Sequence, residues 1–272
     1  MSILSMNFVI AFPGEAQPII DFYDLQKVGK QPFPYYQIDN HKLVISGMGR
    51  ERTAQAVNYL KNESSTPNQA WINLGIAGHG SLEIGQPFLA GKIEDDLSEN
   101  CFYPPQIYDH TFPVTCLKTC SQPCSSYEPD LGYDMEAHAF YSTVLSVSTR
   151  ELVQVIKIVS DNPGSPLASF SPKEVPRLIE NHLETIALLV NQMEKTSLTI
   201  QLEPEISNTY EKVREIHHFS STRSHQLHDL IRQAHALGLY LGEIESIAQS
   251  AKDGAEVISS INLWMGPSRQ FR

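Results

Sequence analysis

Short apolar runs alternate with helix-like segments through the first part of the chain. Strands are predicted at residues 7–12, 42–46, 71–74, 87–93, 114–118 and 152–160. The runs are apolar at nearly every position, as in strands that are buried on both faces of a parallel sheet. Helical spacing of apolar residues predicts helices at 15–25, 50–62 and 135–147. Strands interleaved with helices predict an α/β fold with a mixed, mostly parallel central sheet flanked by helices.

The last third of the chain has no strand pattern. Ser171, Pro172 and Glu174 form a capping box with proline at the first helical position, which predicts one long helix from there to Met193. Further helices are predicted at 205–217, 222–237 and 253–263. We therefore predict two domains, an α/β domain over residues 1–197 and a helical C-terminal extension over residues 198–272.

Composition narrows the class of protein. With 41% hydrophobic residues the chain is not predominantly disordered, and it has no apolar run of the roughly 18 residues that a membrane helix needs. The formal charge of −11 argues against binding to nucleic acid or to anionic lipid. A small-molecule partner is expected. Because the first residues lack the basic region of a secretory signal, a cytoplasmic location is also expected.

Cysteine and histidine clusters raise the alternative of a metal site. The four cysteines share one short stretch but contain no CxxC pair, so reduced thiols and no metal are expected at Cys101, Cys116, Cys120 and Cys124. The tail holds five of the ten histidines, at 217, 218, 225, 228 and 235. His225 and His228, three residues apart on one predicted helix, could bind a metal together with His217, His218 or His235. We expect instead that His225 and His228 lie on the solvated face of this helix, opposite an apolar docking face.

Candidate chemistry lies after the predicted strands, where ligands of α/β sheets usually bind. Residues 75–80 hold three glycines, which predicts a tight loop with close backbone approach to a ligand. No Gly-Lys-Ser/Thr follows, so this is not a phosphate-binding P-loop. His79 within it is expected to be a polar residue at the rim of the site.

Three carboxylates are further candidates. Glu15 stands at a helix start after Pro13-Gly14, Glu136 follows Asp134 at another helix start, and Asp161 ends the most β-like segment. Each has an ordinary structural explanation as a helix cap or a turn residue. Glu136, however, leads into an apolar helix, and a carboxylate at that point can accept hydrogen bonds from a vicinal diol.

Five segments in this order resemble the nucleoside phosphorylase and nucleosidase superfamily, and their pattern is most similar to methylthioadenosine/S-adenosylhomocysteine nucleosidase and futalosine hydrolase. The segments are FVIAFPGEA at 8–16, ISGMG at 45–49, NLGIAG at 73–78 with Ile-Gly at 84–85, YDMEA at 133–137 and IVSD at 158–161. The resemblance implies a phosphorylase-like fold, cleavage of an N-glycosidic bond, and a homo-oligomer.

The resemblance also implies roles for particular residues. Asp161 matches the acid that protonates the leaving base, and Glu15 matches the carboxylate that deprotonates the attacking water. Glu136 matches the group that holds the ribose hydroxyls, with Met135 packed under the sugar. The remaining residues that it implies for substrate binding are Met48, Gly49, Ile76, Ala77, Gly78, Asp134 and Ser160.

The nucleophile is expected to be water. Where phosphorolytic members carry cationic or hydroxyl groups, this chain has Pro18, Asn73 and Ile76, which cannot neutralise phosphate. Because Arg50 and Arg52 could bind an anion, a phosphorylase that uses inorganic phosphate as co-substrate is the alternative. Apart from that phosphate, no cofactor is expected. A non-catalytic nucleoside-binding or interaction module is the alternative of another class. The sequence does not identify the base of the substrate, because the segment expected to recognise it, residues 109–130, matches nothing in the family.

Overall fold

A computed structural model describes residues 6–63, 69–124, 126–200 and 204–266. Its contacts divide the chain into two compact units, Met1–Ile200 and Gln201–Arg272. The predicted division between residues 197 and 198 falls inside the last turn of a helix, Leu183–Ile200, that belongs to the first unit. The division into an α/β domain and a helical C-terminal extension stays a prediction.

A nine-stranded mixed sheet forms the centre of the first unit within the described residues. Its strands are β1 (Met6–Ile10), β2 (Gln26–Gly29), β3 (Tyr35–Ile38), β4 (His41–Ile45), β5 (Ala70–His79), β6 (Pro87–Asp95), β7 (Val114–Thr119), β8 (Leu131–Asp134) and β9 (Val153–Asp161). The spatial order is β2-β3-β4-β1-β5-β8-β7-β6-β9, and β9 also pairs with β5, which closes the last five strands into a ring. Parallel pairs join β1 to β4 and β5, β5 to β9, and β7 to β6 and β8.

Helices cover both faces of this sheet. They are α1 (Pro13–Phe22), α2 (Arg50–Asn62), α3 (Ala137–Val144), α4 (Val175–Glu180) and α5 (Leu183–Ile200), with 3₁₀ turns at Arg150–Leu152, Leu167–Ser169 and Pro172–Glu174. One hydrophobic core packs α1, α4 and α5 on the sheet, and a second packs α2 and α3. The predicted α/β class, with a mixed, mostly parallel sheet between helices, is confirmed.

Two local predictions are wrong. Residues 75–79 are not a loop but the second half of the ten-residue strand β5. The helix predicted from residue 171 to Met193 is interrupted between α4 and α5, at residues 181–182. There His182 turns its ring to the Gly85 carbonyl oxygen, 2.8 Å from Nε2, while the apolar spacing continues on either side. Apolar spacing alone therefore cannot reveal the break.

The second unit consists of helices in its described part. They are α6 (Pro204–Ile216), α7 (Ser221–Ala236), α8 (Gly242–Ser250) and α9 (Gly254–Met265), packed on their own apolar core. Asp253 caps α9 by accepting from the Ala255 and Glu256 N–H groups. The sequence pattern missed α8, a helix of nine residues.

The structure also locates the cysteines and the tail histidines that the sequence groups into clusters. All four cysteines are free thiols. In the described ranges no three His, Cys, Asp or Glu side chains come close enough to hold a metal ion. Of the tail histidines, His217 lies 2.8 Å from the Ala248 carbonyl oxygen, and His228 packs edge-on to Tyr210. None of the helices described is both long and apolar enough to cross a membrane.

Candidate active site

One cavity of about 160 Å³ lies where β1, β4, β5, β8 and β9 end. Of the eleven site residues implied by the sequence, ten line it, including all three proposed carboxylates; the exception is Gly49. Five further residues line the same cavity, namely Phe12, Pro123, Cys124, Tyr133 and Leu167. Glu15 and Asp161, far apart in the chain, converge because β1 and β9 both run parallel to β5 and end at the same edge of the sheet. Glu136 reaches the same cavity from β8, which runs antiparallel to β5.

Glu15 lies in the first turn of α1 and reaches into the sheet. Its Oε2 accepts from the Phe12 N–H and its Oε1 from the Ile76 N–H of β5, both at 2.9 Å. Gly75 makes this approach possible, because a Cβ at that position would lie 2.8 Å from Glu15 Oε1. Burial raises the pKa of Glu15, opposed by the Ile76 N–H and by the positive charge of Lys157.

Glu136 precedes α3 and faces the loop between β4 and α2. The Gly49 N–H donates to its Oε1 at 2.8 Å, so Gly49 acts on the site through its backbone and not by lining it. Burial, followed by the neighbouring charge of Asp134, raises the pKa of Glu136 to about 7. Among the described residues no hydrogen bond reaches its second oxygen, Oε2, which leaves that atom as an acceptor facing the cavity.

Asp161 is turned into the cavity by a bulge. Along β5 and β9 the register steps from Ala77–Val159 to Gly78–Asp161, which leaves Ser160 as the extra residue. Ser160 Oγ donates to Asp161 Oδ1, and the Tyr127 hydroxyl donates to Oδ2, both at 2.5 Å. A Cβ on Gly78 would lie 2.7 Å from that Oδ2, so glycine again leaves room for a carboxylate.

Asp134 is engaged entirely by protein groups. Its Oδ1 accepts from Thr119 Oγ1 at 2.8 Å. Its Oδ2 accepts from the Ala137 N–H and lies 2.8 Å from Nζ of Lys157. Sequence reasoning missed Lys157, although a lysine in the middle of a strand with apolar neighbours was a visible signal.

His79 does not lie at the rim of the site, so that prediction is wrong. Its side chain is buried, and Nδ1 accepts from the Ser81 and Leu82 N–H groups, each at 3.0 Å. The ring therefore closes the turn after β5, and burial lowers its pKa. Sequence reasoning missed Tyr127, which lies in the segment that matched no family pattern. Its hydroxyl group contacts Asp161.

Arg50 and Arg52, the two arginines that left a phosphorylase as the alternative, both interact with other groups of the protein. Arg50 is paired with the carboxylates of Asp95 and Asp96. Arg52 donates from Nε to the Ser46 carbonyl oxygen at 2.9 Å, and its guanidinium lies 5.7 Å from the centre of the Phe33 ring. Neither lines the cavity described here.

Comparison with known proteins bears on the fold. No family model matches the chain, and no curated protein sequence matches it. Among solved structures, 5′-methylthioadenosine/S-adenosylhomocysteine nucleosidases match from Chlamydia trachomatis, with TM-score 0.55 and 18% identity, and from Campylobacter jejuni, with TM-score 0.55 and 17% identity. Each match covers 71% of this chain and 100% of the other. The chain has the phosphorylase-like fold.

A futalosine hydrolase mutant from Helicobacter pylori matches equally well in shape. Its TM-score is 0.55 at 10% identity, with 70% of this chain and 100% of that chain covered. The resemblance in the sequence is thereby confirmed for the fold, since both groups that it suggested recur as structural matches. At such identities the likeness does not extend to activity, which has to be argued from the site.

Gly78→Ala is expected to lower both stability and any activity of the site. The new methyl group would lie 2.7 Å from Asp161 Oδ2 and 2.9 Å from Cε1 of Tyr127, so Asp161 must turn away. Overpacking of this kind costs about 1–3 kcal/mol of unfolding free energy, measurable by denaturant titration. Gly29→Ala is the matched control, because its Cβ would meet only Tyr59 Oη at 3.9 Å. Equal stability of the two variants would contradict this prediction.

Proposed function

We propose that this protein is a nucleosidase that hydrolyses the N-glycosidic bond of a purine-type nucleoside. The observation that carries the proposal is the convergence of Glu15, Glu136 and Asp161 on one cavity. Cleavage of a nucleoside generates an oxocarbenium-like sugar, a leaving base that needs a proton, and a site for water. The three carboxylates offer one group for each of these needs.

The proposed reaction assigns each carboxylate one task. Glu136 accepts hydrogen bonds from the ribose hydroxyls, and Met135 packs under the sugar. The bond between C1′ and the base nitrogen breaks, its electron pair leaves with the base, and Asp161 delivers a proton to a ring nitrogen. Glu15 takes a proton from the water that bonds to C1′. The two backbone donors on Glu15, from Phe12 and Ile76, orient its carboxylate for that step.

Charge around the cavity supports water as the nucleophile. Among the described residues that line it there is no lysine or arginine. Arg50 and Arg52 are held by other protein groups, and Lys157 is paired with Asp134. A bound phosphate requires several charge-assisted hydrogen bonds, and the lining offers carboxylates instead.

Apolar side chains at the mouth agree with the homo-oligomer that the resemblance implies. Phe12, Met48 and Leu167 line the cavity and are 45%, 49% and 38% exposed. Cover by a second copy of the chain would shield the reacting sugar from bulk water. This arrangement is part of the proposal.

A nucleoside panel tests the proposed function. Purine nucleosides with different bases and 5′ substituents are incubated with the full chain, with and without inorganic phosphate, and products are separated by chromatography. Hydrolysis is expected to give free base and free sugar at a rate that does not depend on phosphate. A sugar 1-phosphate formed only with phosphate would show a phosphorylase. Binding without turnover of any nucleoside would show a non-catalytic module.

The pH profile of kcat/KM is expected to rise through about pH 7. Glu136 binds sugar hydroxyls as an acceptor, and its pKa of about 7 means that it loses this capacity as the pH falls below that value. The value of kcat/KM should therefore fall on the acid side of about pH 7. Steady-state rates of the wild type and of Glu136→Gln are measured across that pH range, and the variant should lack the rise of kcat/KM near pH 7. An equal rise in both proteins would contradict the role assigned to Glu136.

A further inference from the structure

We propose that Lys157 is a positioning residue whose buried ammonium group, held by Asp134, keeps the neighbouring Glu15 carboxylate ionised so that it can accept a proton. This inference rests on the proposed function, in which Glu15 activates water. It adds a residue that touches neither water nor substrate and acts only through Glu15.

Geometry places Lys157 beside Glu15. Lys157 lies in the middle of β9, is 2% exposed, and its Nζ is 2.8 Å from Asp134 Oδ2. Directly opposite on β5 is Gly75. Paired residues on neighbouring strands project to the same face of a sheet. The place where a Gly75 side chain would begin is filled by the carboxylate of Glu15, with Oε1 2.8 Å from the position of that Cβ.

Charges around Lys157 come from three elements. Glu15 faces it from α1, Asp134 from the end of β8, and Glu136 from the start of α3. On its own strand, Asp161 is turned by the bulge toward Ser160 and Tyr127. Attraction to the first three carboxylates raises the pKa of Lys157 against the effect of burial, so the ammonium stays charged. It is also the charged group that lowers the pKa of Glu15.

A structural role alone does not account for this pair. Asp134 already accepts hydrogen bonds from Thr119 Oγ1 and the Ala137 N–H, which tie it to β7 and α3. Buried ion pairs contribute little to stability compared with apolar residues of the same size, because removing both charges from water is costly. A lysine kept at this depth, next to a cluster of carboxylates, is better explained by the charge that it supplies to them.

The test compares three variants. Lys157→Met removes the cation but leaves Asp134 unpaired, which endangers folding. The double variant Asp134→Asn/Lys157→Met removes both charges at nearly constant volume, and Lys157→Arg retains the cation. Circular dichroism and thermal unfolding verify that each variant is folded. Carbon-13 NMR of glutamate-labelled protein then follows the titration of Glu15, whose signal is assigned by its absence in Glu15→Gln.

The titration midpoint of Glu15 is expected to rise by at least about one pH unit in the double variant and to stay near the wild-type value in Lys157→Arg. A rise of one unit corresponds to an up to about tenfold smaller ionised fraction, and kcat on the acid side should fall by the same factor. An unchanged midpoint in a folded double variant would overturn the inference. If the wild type cleaves no nucleoside, the proposed function fails, while the NMR titration still decides whether Lys157 keeps Glu15 ionised.

Discussion

Asp161→Asn is expected to lower turnover by about 10²–10⁴-fold, the usual contribution of a positioned general acid. An amide has nearly the same shape as the carboxyl group, but it cannot hand a proton to the departing base. The contact with Ser160 Oγ can persist through the amide oxygen. The loss should therefore fall on kcat rather than on folding. Single-turnover rates and thermal unfolding, measured on the nucleoside that the wild type cleaves best, separate the two effects.

Tyr127→Phe is the matched control for this variant. It removes the hydroxyl that donates to Asp161 Oδ2 and leaves the carboxyl group in place. It should retain far more activity than Asp161→Asn. If Asp161→Asn turned over at nearly the wild-type rate, Asp161 would not be the proton donor.

Glu15→Gln is expected to cause a loss of similar size, about 10²–10⁴-fold in turnover. Glutamine cannot take the proton of the attacking water. Its NH₂ group also replaces an oxygen that accepts from either the Phe12 or the Ile76 N–H, so one backbone donor loses its acceptor. The measurement is the rate of free-sugar release together with the denaturant midpoint.

Glu51→Gln serves as the control for Glu15→Gln. Glu51 also lies in the first turn of a helix, but it is exposed, and its partner is Gln55 on the same helix. Its rate should equal that of the wild type. A Glu15→Gln variant that was folded and as active as Glu51→Gln would exclude Glu15 as the base.

Convergence of Glu15 and Asp161 could be predicted because both lie at or just after the ends of strands that were visible in the sequence, β1 and β9, and the carboxyl ends of parallel strands meet at one edge of a sheet. Glu136 was assigned to the site only through the family resemblance, because the short strand before it, β8, was not predicted and runs antiparallel to β5. The apolar runs of β1, β4 and β9 were visible because these strands are buried on both faces. The helices on both faces follow from the same alternation.

The details that could not be predicted depend on contacts between distant residues. Gly75 and Gly78 suggested a loop, whereas in β5 they leave room for Glu15 and Asp161, which lie 60 or more positions away in the chain. Local glycine content cannot distinguish a turn from a strand that other side chains approach closely. For the same reason the partners Tyr127 and Lys157 became apparent only when the fold was complete.

Closure of five strands into a ring has a consequence for solubility. Within the described chain it leaves β2 as the strand at the open end of the sheet, paired on one side only by β3. β2 has four residues, carries Lys27 and is irregular in its pairing after that residue. Edge strands that are short, charged and irregularly paired are poor templates for the addition of strands from other molecules. The strands that hold the carboxylates are thus protected from intermolecular sheet growth, and aggregation on mild heating should begin elsewhere.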